Sequence, residues 1–279
     1  TFGAENFSGI YFPKGGWINI GQVCKDAQKS ISNERMLLET TVKGLEFSKE
    51  RWQVVGDQGD IICRARRVFV TSALGTQAIM KSVGIDVPLK PVRGQLTKFQ
   101  FEAGSIWHKK SFDMAICGNV YALPPEKKTD TTYEVCLGSS YDEESSDLEV
   151  WPQSHTENIQ KLKDVLNIGN IPDPYISGHF VGIRCVSKDR LPVMGPICGR
   201  PGLYVLTALG SRAVMWSALA SQIFSEHLSY EIQEEAFLDT RFFAGARLAT
   251  DGLTSDLLSA LSPDRFFAAS NSKPILPSC

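Results

Sequence analysis

The chain has 279 residues, 43% of them hydrophobic and 22% charged, which is enough for a large core or two coupled domains and excludes the disordered and fibrous classes. Lys and Arg total 29 against 31 Asp and Glu, so the net charge of −2 supplies no chain-wide attraction to nucleic acid or membrane, and a polyanion would have to meet a local patch. No apolar run approaches the ~20 residues of a membrane-spanning helix and the N-terminus lacks a signal-peptide plan, so the chain reads as soluble and cytoplasmic.

It starts at Thr1 rather than Met and enters a strand-like "GIYFP" almost at once, the pattern of a fragment or a processed chain. Residues 9–20 predict a strand, a glycine turn at Gly15 and Gly16, and the entry to a helix from about Gln22 to Ile31. Turn residues then separate "TTVKGLEF", "RWQVVGDQ", "GDIICRA" and "RRVFVTSALG", the spacing of a β-meander. Its last strand is expected at Val68 to Ser72, with a short helix through Met80. From Pro91 the pattern is strand-dominated, through "RGQLTKFQF", "DMAICGNVYALPP" and "TYEVCLGSSYD" to the acidic loop "DEESSDLE". A helix over Ser154 to Leu166 aligns Ile159, Leu162, Val165 and Leu166 on one face and closes at Gly169 and Pro172. The last third returns to α/β signals: "VGIRCVSKDRLPVMG", a buried strand "GLYVLTALG", a long apolar helix, and a polar tail ending in "LSPDRF".

This order predicts a mixed α/β (α+β) fold in which an antiparallel β-rich domain, 90–180, interrupts a discontinuous one made of 1–89 and 181–279. Seven cysteines are widely spaced with no Cys-x-x-Cys, which argues against a disulfide framework or a zinc site and for reduced thiols. No metal site is expected.

Several stretches could carry chemistry. In "GLYVLTALGSRAVMW" a strand turns at Gly210 and Ser211 opens a helix, whose free N–H groups suit an anionic ligand group or form an ordinary capped helix. Arg184 stands among apolar neighbours and cannot shed its proton, so it needs an anionic or hydrogen-bonding partner. That partner is either a substrate carboxylate gripped by the guanidinium fork or a structural acid such as Asp189. Gly15 and Gly16, and Arg93 in "PVRGQL", fit either a ligand contact or a turn. Residues 90–128 hold seven cations (Lys90, Arg93, Lys98, Lys109, Lys110, Lys127, Lys128) against three acids, suited to phosphate or to a solvated rim.

Taken in order, "YFPKGGW", "VFVTSALG", "PVRGQLTKF", "GIRCVSKDRLPVMG", "GLYVLTALGSR" and "LSPDRF" resemble the FAD-dependent D-amino-acid-oxidase-like superfamily. Within it, "FPKGGW", the arginine run, "ALGSR" and "LSPDRF" are most similar to the oxidase domain of MnmC-type tRNA wobble-uridine modification enzymes. The resemblance implies a partial FAD-binding Rossmann-like domain with an inserted substrate domain. It also implies FAD as cofactor, tRNA as substrate, no membrane partner, and a possible methyltransferase domain elsewhere in a longer protein. The activity implied is removal of the carboxymethyl group from 5-carboxymethylaminomethyl-uridine as glyoxylate. The alternatives are an oxidase of glycine, sarcosine or a D-amino acid, or a flavin-free binding remnant. Arg184 would be the catalytic carboxylate clamp, with Arg93 and His179 as further substrate contacts. Gly15, Gly16, Thr71, Ser72, Ala73, Gly75, Gly210, Ser211 and Arg212 would meet the cofactor. Two departures stand out: the Gly-x-Gly-x-x-Gly fingerprint that the family carries upstream of "FPxGGW" is absent from this chain, and Ala213 replaces an expected glycine.

Overall fold

A computed structural model describes residues 9–30, 36–234 and 260–266; most of the polar tail expected before "LSPDRF" falls outside the described residues. In chain order the elements are α1 (Ile20–Ser30), β1 (Val42–Ser48), β2 (Arg51–Gly56), β3 (Ile61–Ala65), β4 (Val68–Val70), α2 (Thr76–Lys81) and β5 (Leu89–Glu102). There follow α3 (Ile106–Lys109), β6 (Ile116–Cys117), β7 (Tyr121–Ala122), β8 (Glu126–Lys127), β9 (Thr132–Gly138), β10 (Asp142–Glu143), α4 (Pro152–Val165), β11 (Tyr175–Ser187), β12 (Val193–Pro196), β13 (Leu203–Thr207) and α5 (Ala213–Glu234). Two compact units result: the described parts of Thr1–Ser32 with Val92–Ile183, and those of Asn33–Pro91 with Arg184–Cys279.

The second of these units holds two three-stranded sheets, β1-β2-β3 and β12-β13-β4. In the first sheet Ser48 pairs with Arg51, leaving Lys49 and Glu50 as a two-residue turn with φ of 51° and 59°. Both central residues are thus left-handed, the geometry that matches strand twist, although neither is the glycine or asparagine that usually announces it. In the second sheet β13 lies antiparallel to β12 and parallel to β4, with Val205 opposite Val70. β4 stops at Val70, short of the expected Ser72, because the backbone turns at Ser72 (φ −88°) and becomes left-handed at Ala73 (φ 49°). The core joins Leu45, Trp52, Met80, Val193, Leu203 and Val205, and the Trp52 indole N–H donates to the Pro201 carbonyl at 2.8 Å.

The other unit is an antiparallel sheet in the order β10-β5-β9-β7-β6, with β8 on β9 and β11 on β5. Alternation along β5 gives one face two characters. Arg93, Gln95 and Thr97 are fully buried polar groups, while Phe99 and Phe101 continue the same face as apolar core with Ile159 and Leu162 of α4. Asn158 of α4 serves the polar half, its amide donating to the Gln95 carbonyl at 2.9 Å and to Thr97 Oγ1 at 3.1 Å. The face expected for this helix therefore packs inward, Ile159, Leu162 and Leu166 being buried. α1, capped by Asn19 Oδ1 accepting from the Gln22 N–H at 3.0 Å, has no buried residue.

Leu162 is fully buried and Lys161, beside it, is only partly so. Leu162→Ala is therefore expected to cost about 2–5 kcal/mol in urea unfolding, against roughly 0.5 kcal/mol or less for Lys161→Ala.

Candidate active site

Parallel strands that end side by side bring their following turns together. β4 runs into Thr71, Ser72 and the 3₁₀ turn Ala73–Gly75, and β13 runs into Ala208, Leu209 and the 3₁₀ turn Gly210–Arg212. Thr207 joins the two, its hydroxyl donating to the Ala73 carbonyl at 3.2 Å. Both connections reverse through left-handed backbone: Ala73 at φ 49°, Ala208 at 58° and Gly210 at 57°. A positive φ on alanine is unfavourable and persists only where its surroundings hold it, a pattern common at ligand sites.

β11 meets the same place. The Cys185 thiol lies 3.7 Å from Thr207 Oγ1, and a Cβ on Gly210 would sit 3.5 Å from Val186 Cγ1. Strand alternation puts Arg184 on the Val186 face. Arg184, Thr71, Ser72, Ala73, Gly75, Gly210, Ser211 and Arg212 thus belong to one unit, gathered around the ends of β4 and β13. Thr71, Ser72, Ala73, Gly75, Ser211 and Arg212 are exposed there, and Arg184 and Gly210 are half-buried. α5 starts from this turn, so its first N–H groups and its exposed Val214 and Met215 border the same edge.

Asp189, the acid considered as a structural partner for Arg184, is gripped by Arg265 of the "LSPDRF" motif. Arg265 Nε donates to Oδ2 at 2.7 Å and Nη2 to Oδ1 at 3.2 Å, a two-pronged contact. Burial by itself would raise the Asp189 pKa; hydrogen bonds from Arg265, Ser187 and the Leu191 N–H outweigh it and lower the value to about 2.

Gly15, Gly16, Arg93 and His179 belong to the other unit. Gly15 closes a turn on the Phe12 carbonyl, where an added Cβ would come within 3.1 Å, while Gly16 faces open space. Arg93 was expected to touch substrate, but its guanidinium is fully buried and spent on protein. It donates to Asp142 Oδ2 at 3.0 Å, Gln95 Oε1 at 2.8 Å and the Asp147 and Glu149 carbonyls, with Trp151 stacked 3.9 Å from its carbon. It fastens the acidic loop to the sheet. His179 is exposed, its ring 6.2 Å from His155, whose Nδ1 meets Thr97 Oγ1 at 2.9 Å. Burial, then the neighbouring His179, lowers the His155 pKa. Of the other basic residues in 90–128, Lys127 pairs with Asp130 and Lys128 with Glu126 and Glu134.

Sequence reasoning missed Thr207 and Ala208, which no local signal marks, since left-handed alanine has no residue signature. The Asp189–Arg265 pair was present as two separate motifs with nothing to join them. Among the described residues no group of His, Cys, Asp or Glu is placed to hold a metal, and no helix is long and apolar enough to cross a membrane. Cys24, Cys63, Cys117, Cys136 and Cys185 are free thiols.

A parallel strand pair whose strands both end in turns at the same edge is an arrangement that α/β folds use to bind ligands at their strand carboxyl ends. The chain belongs to the DAO family of FAD dependent oxidoreductases, matching it over residues 3–227. It is 28% identical over 245 residues to the tRNA 5-methylaminomethyl-2-thiouridine biosynthesis bifunctional protein MnmC of Marinobacter nauticus, aligning 84% of this chain with 36% of that protein. For the MnmC of Ralstonia nicotianae the identity is 26% over 287 residues, 92% of this chain and 39% of that protein. The chain thus spans well under half the length of these relatives. Glycine oxidase from Geobacillus kaustophilus shares the fold at TM-score 0.53 and 17% identity, over 73% of this chain and 51% of its own. Iminodiacetate oxidase from Chelativorans sp. BNC1 does so at 0.52 and 18%, over 64% and 46%.

Two substitutions separate fold from site here. Arg93→Ala removes a fully buried guanidinium from half-buried Asp142, from Gln95 and from two carbonyls, and is expected to destabilise by about 2–3 kcal/mol in denaturant unfolding. Asp189 has a depressed folded pKa, so its contribution is complete above its ordinary value of 3.8 and is lost as pH falls toward about 2. Asp189→Asn should lower the melting temperature near neutral pH and flatten its fall between pH 5 and 2, read by thermal unfolding across that range.

Proposed function

We propose that this chain supplies the ring-facing and substrate-anchoring part of an FAD-dependent oxidase acting on 5-carboxymethylaminomethyl(-2-thio)uridine at the tRNA wobble position. The products are 5-aminomethyl-uridine and glyoxylate. The reading is supported by the position of Arg184 on β11, one residue before Cys185 and two before Val186, which neighbours the Gly210 turn, in a chain aligned along most of its length with MnmC proteins.

The residues present fit the flavin ring. Backbone N–H groups at Gly210–Arg212 and the start of α5 suit the negative charge that a reduced ring gathers on one edge, and Val214 and Met215 offer it apolar surface. Gly210, at φ 57° and against Val186, keeps the turn close. Bound FAD supplies the hydride acceptor. Arg184 holds the substrate carboxylate bidentately and so fixes the adjacent C–N bond, which makes positioning the main catalytic contribution of the protein. Thr71 to Gly75 border the cofactor from the β4 side.

A second reading, oxidation of a free amino acid such as glycine or sarcosine, draws support from the cations of 90–128. Arg93 is spent inside the fold and Lys127 and Lys128 on acids, which narrows the surface available to phosphate.

The full-length protein is expected to carry flavin absorbance bands and to release glyoxylate from the modified tRNA. Arg184→Ala should lower kcat/KM about 10- to 100-fold, mainly through KM, the loss of charged hydrogen bonds to a carboxylate, and Arg184→Lys by less. A folded protein that takes up no flavin on reconstitution overturns the reading, and turnover of glycine or sarcosine faster than of tRNA favours the second.

A further inference from the structure

We infer that Thr207 is a positioning residue: its buried hydroxyl ties the left-handed turns at Ala73 and Ala208 to each other and, through Cys185, to the strand that carries Arg184. The inference deepens the oxidase reading above and rests on it for its catalytic consequence, though not for its structural part.

The hydrogen bonds have a definite direction. Thr207 has one hydroxyl proton, which goes to the Ala73 carbonyl at 3.2 Å. At the 3.7 Å contact the hydroxyl must therefore accept, and the Cys185 S–H is the donor. The chain runs Cys185 thiol, Thr207 hydroxyl, Ala73 carbonyl, and Thr207 is peptide-bonded to Ala208, so it stands between the two alanines at φ 49° and 58°. Burial raises the Cys185 pKa against the opposing pull of Thr207 and Ala208, which keeps the proton this chain requires.

Each link lies where a small shift would be felt. Ala73 and Ala208 set the path of the two turns at the strand ends, and Cys185 is peptide-bonded to Arg184. Thr207, Cys185 and Ala208 are all buried, so water cannot replace a lost partner. Valine at 207 keeps the shape and removes both bonds, whereas serine keeps the hydroxyl.

The test compares Thr207→Val and Thr207→Ser with the wild type in the full-length protein. Amide hydrogen exchange and alkylation of Cys185 by iodoacetamide, followed by mass spectrometry, are read without added flavin. Thr207→Val is expected to raise exchange in peptides over 71–76 and 207–213, and Cys185 labelling, by about fivefold or more. The β1–β2 hairpin and α4 should be unchanged, and Thr207→Ser should stay near wild type. In the flavin-loaded enzyme Thr207→Val should raise KM for the carboxylate substrate more than it lowers kcat. Unchanged local exchange, exchange raised throughout the protein, failure of serine to preserve the pattern, or an unaltered KM would each overturn the positioning role. A wild type that binds no flavin removes the oxidase reading, while the exchange and labelling data still decide whether Thr207 ties the turns.

Discussion

The parallel pairing of β4 with β13 is the constraint from which the candidate site follows. Two strands that run the same way must both leave the sheet at the same end, and the groups freed by that exit cannot pair with each other as a ladder. Here the exits are turned sharply by Ala73, Ala208 and Gly210, all left-handed, so that backbone N–H groups collect at one edge. A site built from backbone in this way tolerates side-chain change wherever conformation allows it. Ala213, where the family resemblance led us to expect glycine, illustrates this: it stands at φ −54° and ψ −38°, ordinary helical values that need no glycine. Gly210, three residues earlier, stands at φ 57°, where glycine avoids the strain that Ala208 bears.

Two arginines that look alike in sequence have different physical fates. Arg93 and Arg184 each sit in an apolar strand context, and each had to find acceptors on folding. For Arg93 the acceptors come from the loop 142–151, which curls over β5 and presents one carboxylate, two carbonyls and an indole face. The acidic loop is thus the counterion of the buried strand. Arg184 lies instead at the crossing of β11 with the β13 turn, half-buried and beside Val186. Strand patterning does not encode which part of the chain each arginine meets.

Periodicity made the larger elements legible. α4 follows its Ile159-Leu162-Leu166 face, and β5 keeps one alternation over 14 residues while changing from polar to apolar partners. The seams between elements were not legible. The β1–β2 turn at Lys49 and Glu50 is left-handed without glycine, β4 ends two residues before its apolar run suggests, and Asp189 finds Arg265 across 76 positions. Such features are decided by tertiary partners, and a local reading weighs only intrinsic preference. In the candidate site the motif residues were visible because they recur as words, whereas Thr207 and Ala208 act through one hydroxyl and one dihedral angle.

The arrangement also explains why a buried cysteine can follow the arginine. A thiol is small and apolar enough to pack among Val193, Leu203 and Val205, yet it still offers one weak donor and one weak acceptor. At Cys185 the donor is used, toward Thr207. Serine would hydrogen-bond more strongly but would bring a more polar group into that core, and alanine would lose the contact with Thr207. Cysteine satisfies both demands, which links the packing of the β12-β13-β4 sheet to the geometry of the turns its strands release.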